Sequence, residues 1–387
     1  MPLRPPYQAS VLSPRPRCYN RIVRRIRVVY WGSGEIGVPT LKMLATETSE
    51  FELVAVVTRE DAPAGRKMLL CCTPIKRFLL DELVDRIVPV RLNHDDATPS
   101  LPAPGRVALA TPSIVKGNKP LRAFLKALEA DAFVVASYGQ ILTNLILDKA
   151  KWAVCVHTSA LPRLRGPSPV RTALILGHTS TQICTFLMTP RMDDGDVLAR
   201  RDVEIDENAA FSELCARFSN LMPELTRESL LSLASGSARP EPQDHALASY
   251  TRLITKADAW IDWSLNATAI RNLCRALSPD MCIVTSFKGK RIKFDLPLDA
   301  VMIESGEPHG TIVQSDDDAG YIDIACGEGT LRVRSVQPES RPWISAADFI
   351  HGFAPVRGDR FDAPTELTAG RPPFESATKF TPSASES

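Results

Sequence analysis

Two stretches decide the fold: residues 153–170 read AVCVHTSALPRLRGPSPV, and residues 189–198 read TPRMDDGDVL. The first begins with a short apolar run that ends at His157, and the Ser, Pro and Gly residues after it do not continue a strand. We therefore expect His157 where a buried strand passes into a loop. In open α/β sheets, ligands bind at the edge formed by the carboxyl ends of the strands.

The second stretch supplies carboxylates that can reach the same edge. Asp193 and Asp194 precede a glycine, and Asp196 follows it, just after another apolar run. A histidine and an aspartate that converge at one edge indicate proton-transfer chemistry. The candidate catalytic pair is therefore His157 with one of these three aspartates.

Both stretches resemble the formyltransferases that use 10-formyltetrahydrofolate, whose pattern is Asn-x-His, then Ser-Leu-Leu-Pro-x-x-Arg-Gly, then Leu-Asp-x-Gly. The matching positions are 155–157, 159–166 and 192–195, and the similarity continues through GEIGVPTLKML (34–44), PAGRKMLLCCTPIK (63–76) and TRLITKADAWIDWS (251–264). The resemblance covers roughly Arg27 to Phe353. One catalytic position departs from the pattern, because Cys155 stands where the family has Asn.

The resemblance implies that a formyl group passes from 10-formyltetrahydrofolate to an amine without a metal. The most similar family members formylate methionine on initiator tRNA, so that charged initiator methionyl-tRNA is the implied partner. The implied catalytic residues are His157, Asp193 and Cys155. The positions implied to bind the folate are Ser137, Tyr138, Gly139, Ser159, Ala160, Leu161 and Pro162.

A basic loop follows the second predicted strand. It contains Arg66 and Lys67 within PAGRK, and it is long enough to project from the sheet. In the family, a similar loop wedges into the acceptor stem of the tRNA. The resemblance therefore implies that Arg66 and Lys67 bind tRNA, while a solvated basic loop without a partner is the plainer alternative.

Three other functions stay open. A formyltransferase acting on a sugar nucleotide or glycinamide ribonucleotide would share the first domain without needing the basic loop. A non-catalytic folate- or RNA-binding relative is favoured by Cys155 and by two further departures from the family, Gln182 and Cys184. An NAD(P)-dependent oxidoreductase is indicated by GSGEIG at 32–37, which is a GxGxxG motif after a strand, with acidic residues at 60–61. We interpret that turn as structural.

Composition excludes several classes of protein. With 387 residues and 44% hydrophobic content the chain can form more than one domain, and its net charge of +1 gives no general basic field for nucleic acid. No apolar run reaches the length of a membrane span. Nine cysteines without a Cys-x-x-Cys pair predict free thiols in a reducing compartment. We expect a monomer that does not associate with membranes.

Residues 1–26 are rich in arginine, and no acidic residue precedes Glu35. This composition is typical of a mitochondrial transit segment, although its prolines weaken an amphipathic helix and a basic tail on a cytosolic enzyme is the alternative. We expect the mature protein in the mitochondrial matrix.

The sequence predicts an α/β chain in which a Rossmann-like, doubly wound parallel sheet precedes a small OB-like β-barrel. Within it, 95–120 is expected to be a surface insertion, and Pro223 to kink or split a helix over 211–233. The predicted divisions are a transit segment at 1–26, a catalytic domain at 27–234, a linker at 235–249, a tRNA-binding barrel at 250–355 and a disordered tail at 356–387.

Overall fold

A computed structural model describes residues 24–65, 67–92, 101–303, 305–362 and 373–378. An eight-stranded sheet in the order β10-β9-β8-β7-β1-β2-β6-β5 forms the N-terminal domain, and β3 and β4 form a separate two-stranded hairpin. The strands are β1 (Ile26–Gly32), β2 (Phe51–Val57), β3 (Ala62–Ala64), β4 (Leu69–Cys71), β5 (Ile87–Val90), β6 (Val107–Ala110), β7 (Ala132–Ala136), β8 (Trp152–His157), β9 (Ser180–Leu187) and β10 (Val197–Glu204).

Helices cover both faces of this sheet. They are α1 (Val38–Thr46), α2 (Pro74–Glu82), α3 (Lys119–Leu128), α4 (Asn144–Leu147), α5 (Pro169–Ile175) and α6 (Phe211–Ser235), with 3-10 turns at Glu35–Gly37 and Val84–Arg86. Because both faces are covered, β1 and β7 are almost entirely apolar and buried. Among the residues described, no helix is long and apolar enough to cross a membrane.

The sheet confirms the Rossmann-like α/β prediction. Six adjacent strands run parallel, in the spatial order β5-β6-β2-β1-β7-β8. The strand order reverses at β1, which lies between β2 and β7. β9 and β10 differ from the prediction of a parallel sheet. β9 pairs antiparallel with β8, and β10 pairs antiparallel with β9. The carboxyl ends of β1, β7 and β8 therefore meet at one edge, beside the switch point.

One local prediction is wrong, and a second is wrong in part. The expected surface insertion contains β6, which is buried between β2 and β5. The strand was not predicted because its four apolar residues lie in a polar segment. Residues 93–100 of this segment lie outside the described residues. Pro223 does not split the predicted helix, since α6 runs through it from Phe211 to Ser235. Leu214 and Phe218 before it and Leu225 after it are all buried, and this packing holds the helix together across the proline.

The C-terminal domain is an antiparallel β structure. Two sheets, in the orders β19-β18-β13-β12-β20 and β14-β17-β16-β15, contain nine strands among the described residues, where the sequence predicted about five. Its elements are β11 (Tyr250–Thr251), α7 (Ala267–Leu277), β12 (Ile283–Phe287), β13 (Lys290–Phe294), β14 (Leu298–Val301), β15 (Ile312–Asp316), β16 (Tyr321–Ala325), β17 (Thr330–Val333), β18 (Ser335–Pro338), β19 (Ile344–Ser345), α8 (Ala346–Phe353), β20 (Phe361–Asp362) and β21 (Glu375–Ser376), with 3-10 turns at His245–Leu247 and Lys256–Ala259.

The tail after 355 is structured where the structure describes it. β20 pairs with β12, and Phe361 is buried in the aromatic core of the domain. β21 pairs with β11, so that Glu375 lies opposite Thr251. The prediction of a disordered tail is therefore wrong for 356–362 and 373–378, because long-range pairing orders segments whose composition favours disorder.

The two domains are in direct contact through α5 and α7. Arg171 of α5 donates to the Ala276 carbonyl and forms an ion pair with Asp280 at 2.6 Å. Arg275 of α7 donates to the Ala209 carbonyl at 2.9 Å. The contact places the β domain on the side of the sheet that is formed by β8, β9 and β10.

Candidate active site

His157 ends β8 at the edge where the parallel strands finish. The residue is 7% exposed, and its Nε2 lies 3.0 Å from the Leu164 carbonyl oxygen. A carbonyl oxygen can only accept, so Nε2 carries the hydrogen and donates it. Nδ1 is then the ring nitrogen left for chemistry, and it faces Asp193.

Asp193 reaches His157 from the loop between β9 and β10. β9 runs antiparallel to β8 with Leu187 paired to Val154, so the loop leaves the sheet beside the middle of β8 and folds back. Oδ2 of Asp193 lies 3.8 Å from Nδ1 of His157 and accepts a 2.7 Å hydrogen bond from the Gly166 N–H. The structure therefore brings together the histidine and the aspartate that the sequence pairs.

The fold of this loop depends on a glycine. A Cβ atom at Gly195 would lie 1.7 Å from the Leu187 carbonyl oxygen, so no other residue fits there without moving the backbone. Asp193 itself has a φ of 49°, in the left-handed region that L-residues adopt at a cost. Surrounding contacts must therefore hold Asp193 in position.

Cys155 lies on β8 two residues before His157, so both side chains point to the same face of the sheet. Burial raises the pKa of the Cys155 thiol well above its ordinary value, and the charge of Asp193 raises that pKa further. The thiol therefore stays protonated at neutral pH, where it is a weak donor and a poor nucleophile. Its Sγ lies 3.7 Å from the Val156 carbonyl oxygen.

The first predicted folate segment follows β7, the strand next to β8. Ser137 and Gly139 have φ angles of 52° and 78°, so the chain turns sharply at both residues and both are exposed. Tyr138 between them is buried, with its ring edge-on to Trp31 at a centroid distance of 5.4 Å. Because β7 and β8 are parallel, this turn lies at the same edge as His157.

The second predicted folate segment follows β8. Ser159 is buried and its Oγ donates to the Arg163 carbonyl at 2.7 Å, so the hydroxyl stabilises the loop itself. Leu161 packs in a small apolar cluster with side chains of β9 and β10. Ala160 and Pro162 are half-buried. Of the four residues, Ala160 and Pro162 are the more accessible to a ligand.

The first glycine-rich turn binds the protein's own groups. The N–H groups of Ser33 and Gly34 donate to the Ser137 carbonyl at 3.1 and 3.2 Å, and the Tyr30 hydroxyl donates to the Gly37 carbonyl at 2.8 Å. In a dinucleotide site, such N–H groups point at the pyrophosphate. The geometry therefore supports the structural interpretation of this turn.

The acidic residues after β2 also lack the arrangement of a ribose site. Both carboxylate oxygens of Asp61 lie 2.8 Å from Nζ of Lys76. Glu60 is exposed at the surface. The geometry gives no support to an NAD(P)-dependent oxidoreductase.

The predicted linker packs directly against the loop that follows His157, and no sequence pattern indicated this contact. Ser249 accepts the Leu164 N–H on its Oγ at 2.9 Å and the Arg165 N–H on its carbonyl at 2.8 Å. The Arg165 carbonyl accepts from the Thr251 N–H at 2.7 Å. The linker and the loop therefore form one hydrogen-bonded unit.

Arg165 is the buried centre of this unit, with 2% exposed. Its guanidinium donates to Gln243 Oε1 at 2.7 and 3.2 Å, to His245 Nδ1 at 3.0 Å and to the Tyr250 hydroxyl at 3.3 Å. The sequence assigned no role to Gln243 or His245. Gln243 lies 78 residues after Arg165, so no local pattern could identify it.

The basic loop predicted to bind tRNA forms the β3-β4 hairpin. Lys67 is exposed near its tip, whereas Arg66 lies outside the described residues. The hairpin follows β2, which is the third strand from β8. At ordinary strand spacing that separation is roughly 14 Å, so the hairpin extends the edge that carries His157.

Comparison with known proteins adds to this geometry. The formyl transferase family matches residues 24–230, and the formyl transferase C-terminal domain matches residues 253–354. The chain is 32% identical over 328 residues to the methionyl-tRNA formyltransferase of Caldanaerobacter subterraneus subsp. tengcongensis, which covers 84% of this chain and 97% of that protein. It is 34% identical over 344 residues to that of a Synechococcus species, covering 87% and 98%.

Solved structures share the fold at low identity. An N-formyltransferase from Helicobacter canadensis, in complex with folinic acid and dTDP-3-aminofucose, matches with a TM-score of 0.55 at 15% identity over 80% of this chain and 98% of that one. HypX from Aquifex aeolicus matches with a TM-score of 0.53 at 12% identity over 87% and 49%. Because both domains match and full-length relatives exceed 30% identity, the chain belongs to the formyltransferase family.

Proposed function

We propose that this protein transfers the formyl group of 10-formyltetrahydrofolate to the α-amine of methionine esterified to initiator tRNA. The observation that carries the proposal is the pair of His157 and Asp193, 3.8 Å apart at the carboxyl edge of the sheet. Relatives that span almost the whole chain are methionyl-tRNA formyltransferases, which favours this acceptor.

The reaction needs two kinds of assistance. The amine attacks the formyl carbon, and the resulting tetrahedral intermediate carries an oxyanion that needs a donor aimed at it. The leaving folate nitrogen needs a proton, while the attacking amine must lose one. A donor and an acceptor of protons are therefore required within a few ångströms of each other.

His157 and Asp193 meet both needs. Because Nε2 of His157 is held by the Leu164 carbonyl, the imidazole has a fixed orientation with Nδ1 towards the reacting centre. When protonated, Nδ1 can donate to the oxyanion and then to the folate nitrogen. The Asp193 carboxylate stabilises that imidazolium and accepts the proton of the amine, directly or through water.

Cys155 occupies the position at which the family's Asn presents an amide N–H. A protonated thiol is a weaker donor than an amide N–H, and the Cys side chain is shorter than that of Asn. We therefore propose that Cys155 contributes little to oxyanion stabilisation. The other two departures leave the catalytic pair intact: Gln182 donates to the Asp202 carboxylate at 2.8 Å, and Cys184 Sγ lies 3.4 Å from the Ser159 carbonyl oxygen.

We expect Cys155→Asn to raise kcat about tenfold, since an oxyanion donor contributes on the order of a hundredfold when well placed and Asn restores part of it. Cys155→Ala should cost little. Both are measured by steady-state formyl transfer. A Cys155→Ala variant as inactive as His157→Ala, with formyl trapped on the enzyme, would establish a nucleophilic thiol instead.

We propose that the folate occupies the two turns after β7 and β8. Ser137 and Gly139 are exposed there, and Tyr138 between them is buried. The relative from Helicobacter canadensis has folinic acid in its crystals, which fits a folate as formyl donor. This placement puts the reactive folate nitrogen within reach of His157 at the end of β8.

We propose that the tRNA contacts the β3-β4 hairpin and one side of the β domain. Three basic residues of this domain, Lys288, Arg332 and Arg334, are paired with carboxylates. Lys290, Arg291 and Lys293 of β13 have no ion pair among the described residues. β13 is therefore the proposed contact for the RNA backbone.

We expect Arg66→Ala to lower kcat/KM for methionyl-tRNA about tenfold, the value of one charge-assisted hydrogen bond, while the affinity for folate stays unchanged. Lys67→Ala should have a smaller effect of the same kind, because Lys lacks the planar fork of Arg. Titrating each substrate separately tests this. A loss of folate affinity instead would mean that the loop serves the folate site.

The acceptor class can be tested directly. Purified protein and labelled 10-formyltetrahydrofolate are mixed in turn with charged initiator methionyl-tRNA, a nucleotide-linked amino sugar and glycinamide ribonucleotide. We expect label only in the tRNA. Label in the sugar alone would identify a sugar formyltransferase, and folate binding without transfer to any acceptor would identify a non-catalytic relative.

We propose that the protein acts in the mitochondrial matrix as a monomer. Support for import is the arginine-rich segment before Arg27, which contains no acidic residue. A reporter fused to residues 1–35 should enter mitochondria and lose the segment; a cytosolic reporter would contradict import. Sedimentation of the mature protein at the mass of one chain tests the monomer.

A further inference from the structure

Gln243 connects the interdomain linker to the loop that carries Asp193. Its Nε2 donates to the Asp193 carbonyl at 3.0 Å and to the Gly195 carbonyl at 2.7 Å. Its Oε1 accepts from the Arg165 guanidinium at 2.7 Å. Gln243 is 7% exposed, so these bonds are shielded from water.

We propose that Gln243 is a positioning residue for catalysis, which holds the Asp193 carboxylate against His157 from the linker; this inference rests on the proposed function. Asp193 is in a left-handed conformation, which an L-residue adopts at a cost that surrounding contacts offset. The two carbonyls bonded by Gln243 belong to Asp193 and Gly195, on either side of the bend. Removing their donor frees the loop that carries Asp193 without altering any side chain that takes part in the reaction.

The chemistry of the contact requires an amide. One end of the side chain must accept from a cation, Arg165, and the other must donate to two carbonyl oxygens. Only Gln and Asn can do both, and Asn is shorter by one methylene. A glutamate at 243 would keep the shape and strengthen the bond to Arg165, but as a carboxylate it would offer no donor to the loop.

Gln243→Glu therefore separates positioning from folding. The bond to Arg165 becomes charge-assisted, which stabilises the fold, while two carbonyls lose their donor, which destabilises it; because these effects oppose each other, we expect the Tm to change by only a few degrees. We expect kcat to fall about ten- to a hundredfold, because small displacements of a catalytic group have effects of that size. KM for methionyl-tRNA and for folate should stay near the wild-type values. Gln314→Glu, at an exposed glutamine bonded to Tyr321 in the β domain, is the matched control.

A second measurement does not depend on turnover. Amide hydrogen exchange of the peptide covering 188–196 should be faster in Gln243→Glu than in the wild type, with the rest of the sheet unchanged. This measurement separates a failure of the proposed function from a failure of the Gln243 inference. If the wild-type protein transfers no formyl group, the proposed function fails, while the exchange experiment still reports on the contact.

Two results would overturn the inference. One is a Gln243→Glu variant with wild-type kcat and wild-type exchange at 188–196, which would mean that the loop holds Asp193 without the linker. The other is a loss of kcat together with a lower Tm and faster exchange throughout the sheet. That outcome would assign Gln243 a general structural role.

Discussion

His157→Ala is expected to lower kcat at least about a hundredfold, the usual effect of removing a donor to a developing oxyanion. His157 is the buried group at the edge of β8 with a ring nitrogen directed towards Asp193. Its interaction with the substrate grows only as charge develops, so the substitution should affect kcat far more than folate affinity. Steady-state kinetics and folate binding, measured on the same preparation, test this.

The control for that experiment is His351→Ala. His351 is an exposed histidine of the β domain that also faces an aspartate, Asp317, at 3.2 Å. Since it lies away from the sheet edge, its removal should leave kcat unchanged. Turnover within a few fold of wild type in His157→Ala would remove the histidine from the mechanism.

Asp193→Asn is the second substitution with a large expected effect. The Asn oxygen can still accept the 2.7 Å hydrogen bond from the Gly166 N–H, so the loop should keep its conformation. What is lost is the negative charge that stabilises the His157 imidazolium and accepts the proton of the amine. We expect kcat to fall about a hundredfold, with the Tm held within a few degrees.

Asp196→Asn supplies the matched control, because Asp196 is an exposed residue of the same loop. Its substitution should change neither kcat nor the Tm. If Asp193→Asn kept full activity, the carboxylate would serve only to fix Gly166. If Asp193→Ala lost activity and Asp193→Asn did not, the same conclusion would follow.

The convergence of His157 and Asp193 could be predicted because the signals for it are local. The apolar run that ends at His157 and the glycine after Asp193 and Asp194 each lie within a few residues of the side chain they position. Parallel strands then bring the turns after β7 and β8 to one edge whatever the rest of the chain does. The family pattern added which chemistry this edge performs.

Other features could not be predicted because they depend on distant partners. β6 is four residues long in a polar segment, and only its place between β2 and β5 explains why it is buried. β21 has no strand-like pattern and exists because β11 pairs with it. Gln243 and Arg165 meet across 78 residues. Short-window periodicity does not contain information of this kind.

The most direct test is formyl transfer from 10-formyltetrahydrofolate to two charged tRNAs assayed side by side, initiator methionyl-tRNA and elongator methionyl-tRNA, with His157→Ala as the blank. The account predicts rapid formation of N-formylmethionine on the initiator tRNA, little on the elongator tRNA and none above background in the blank. Equal formylation of both tRNAs would contradict initiator recognition, and formylation of neither by the wild-type protein would contradict the function itself.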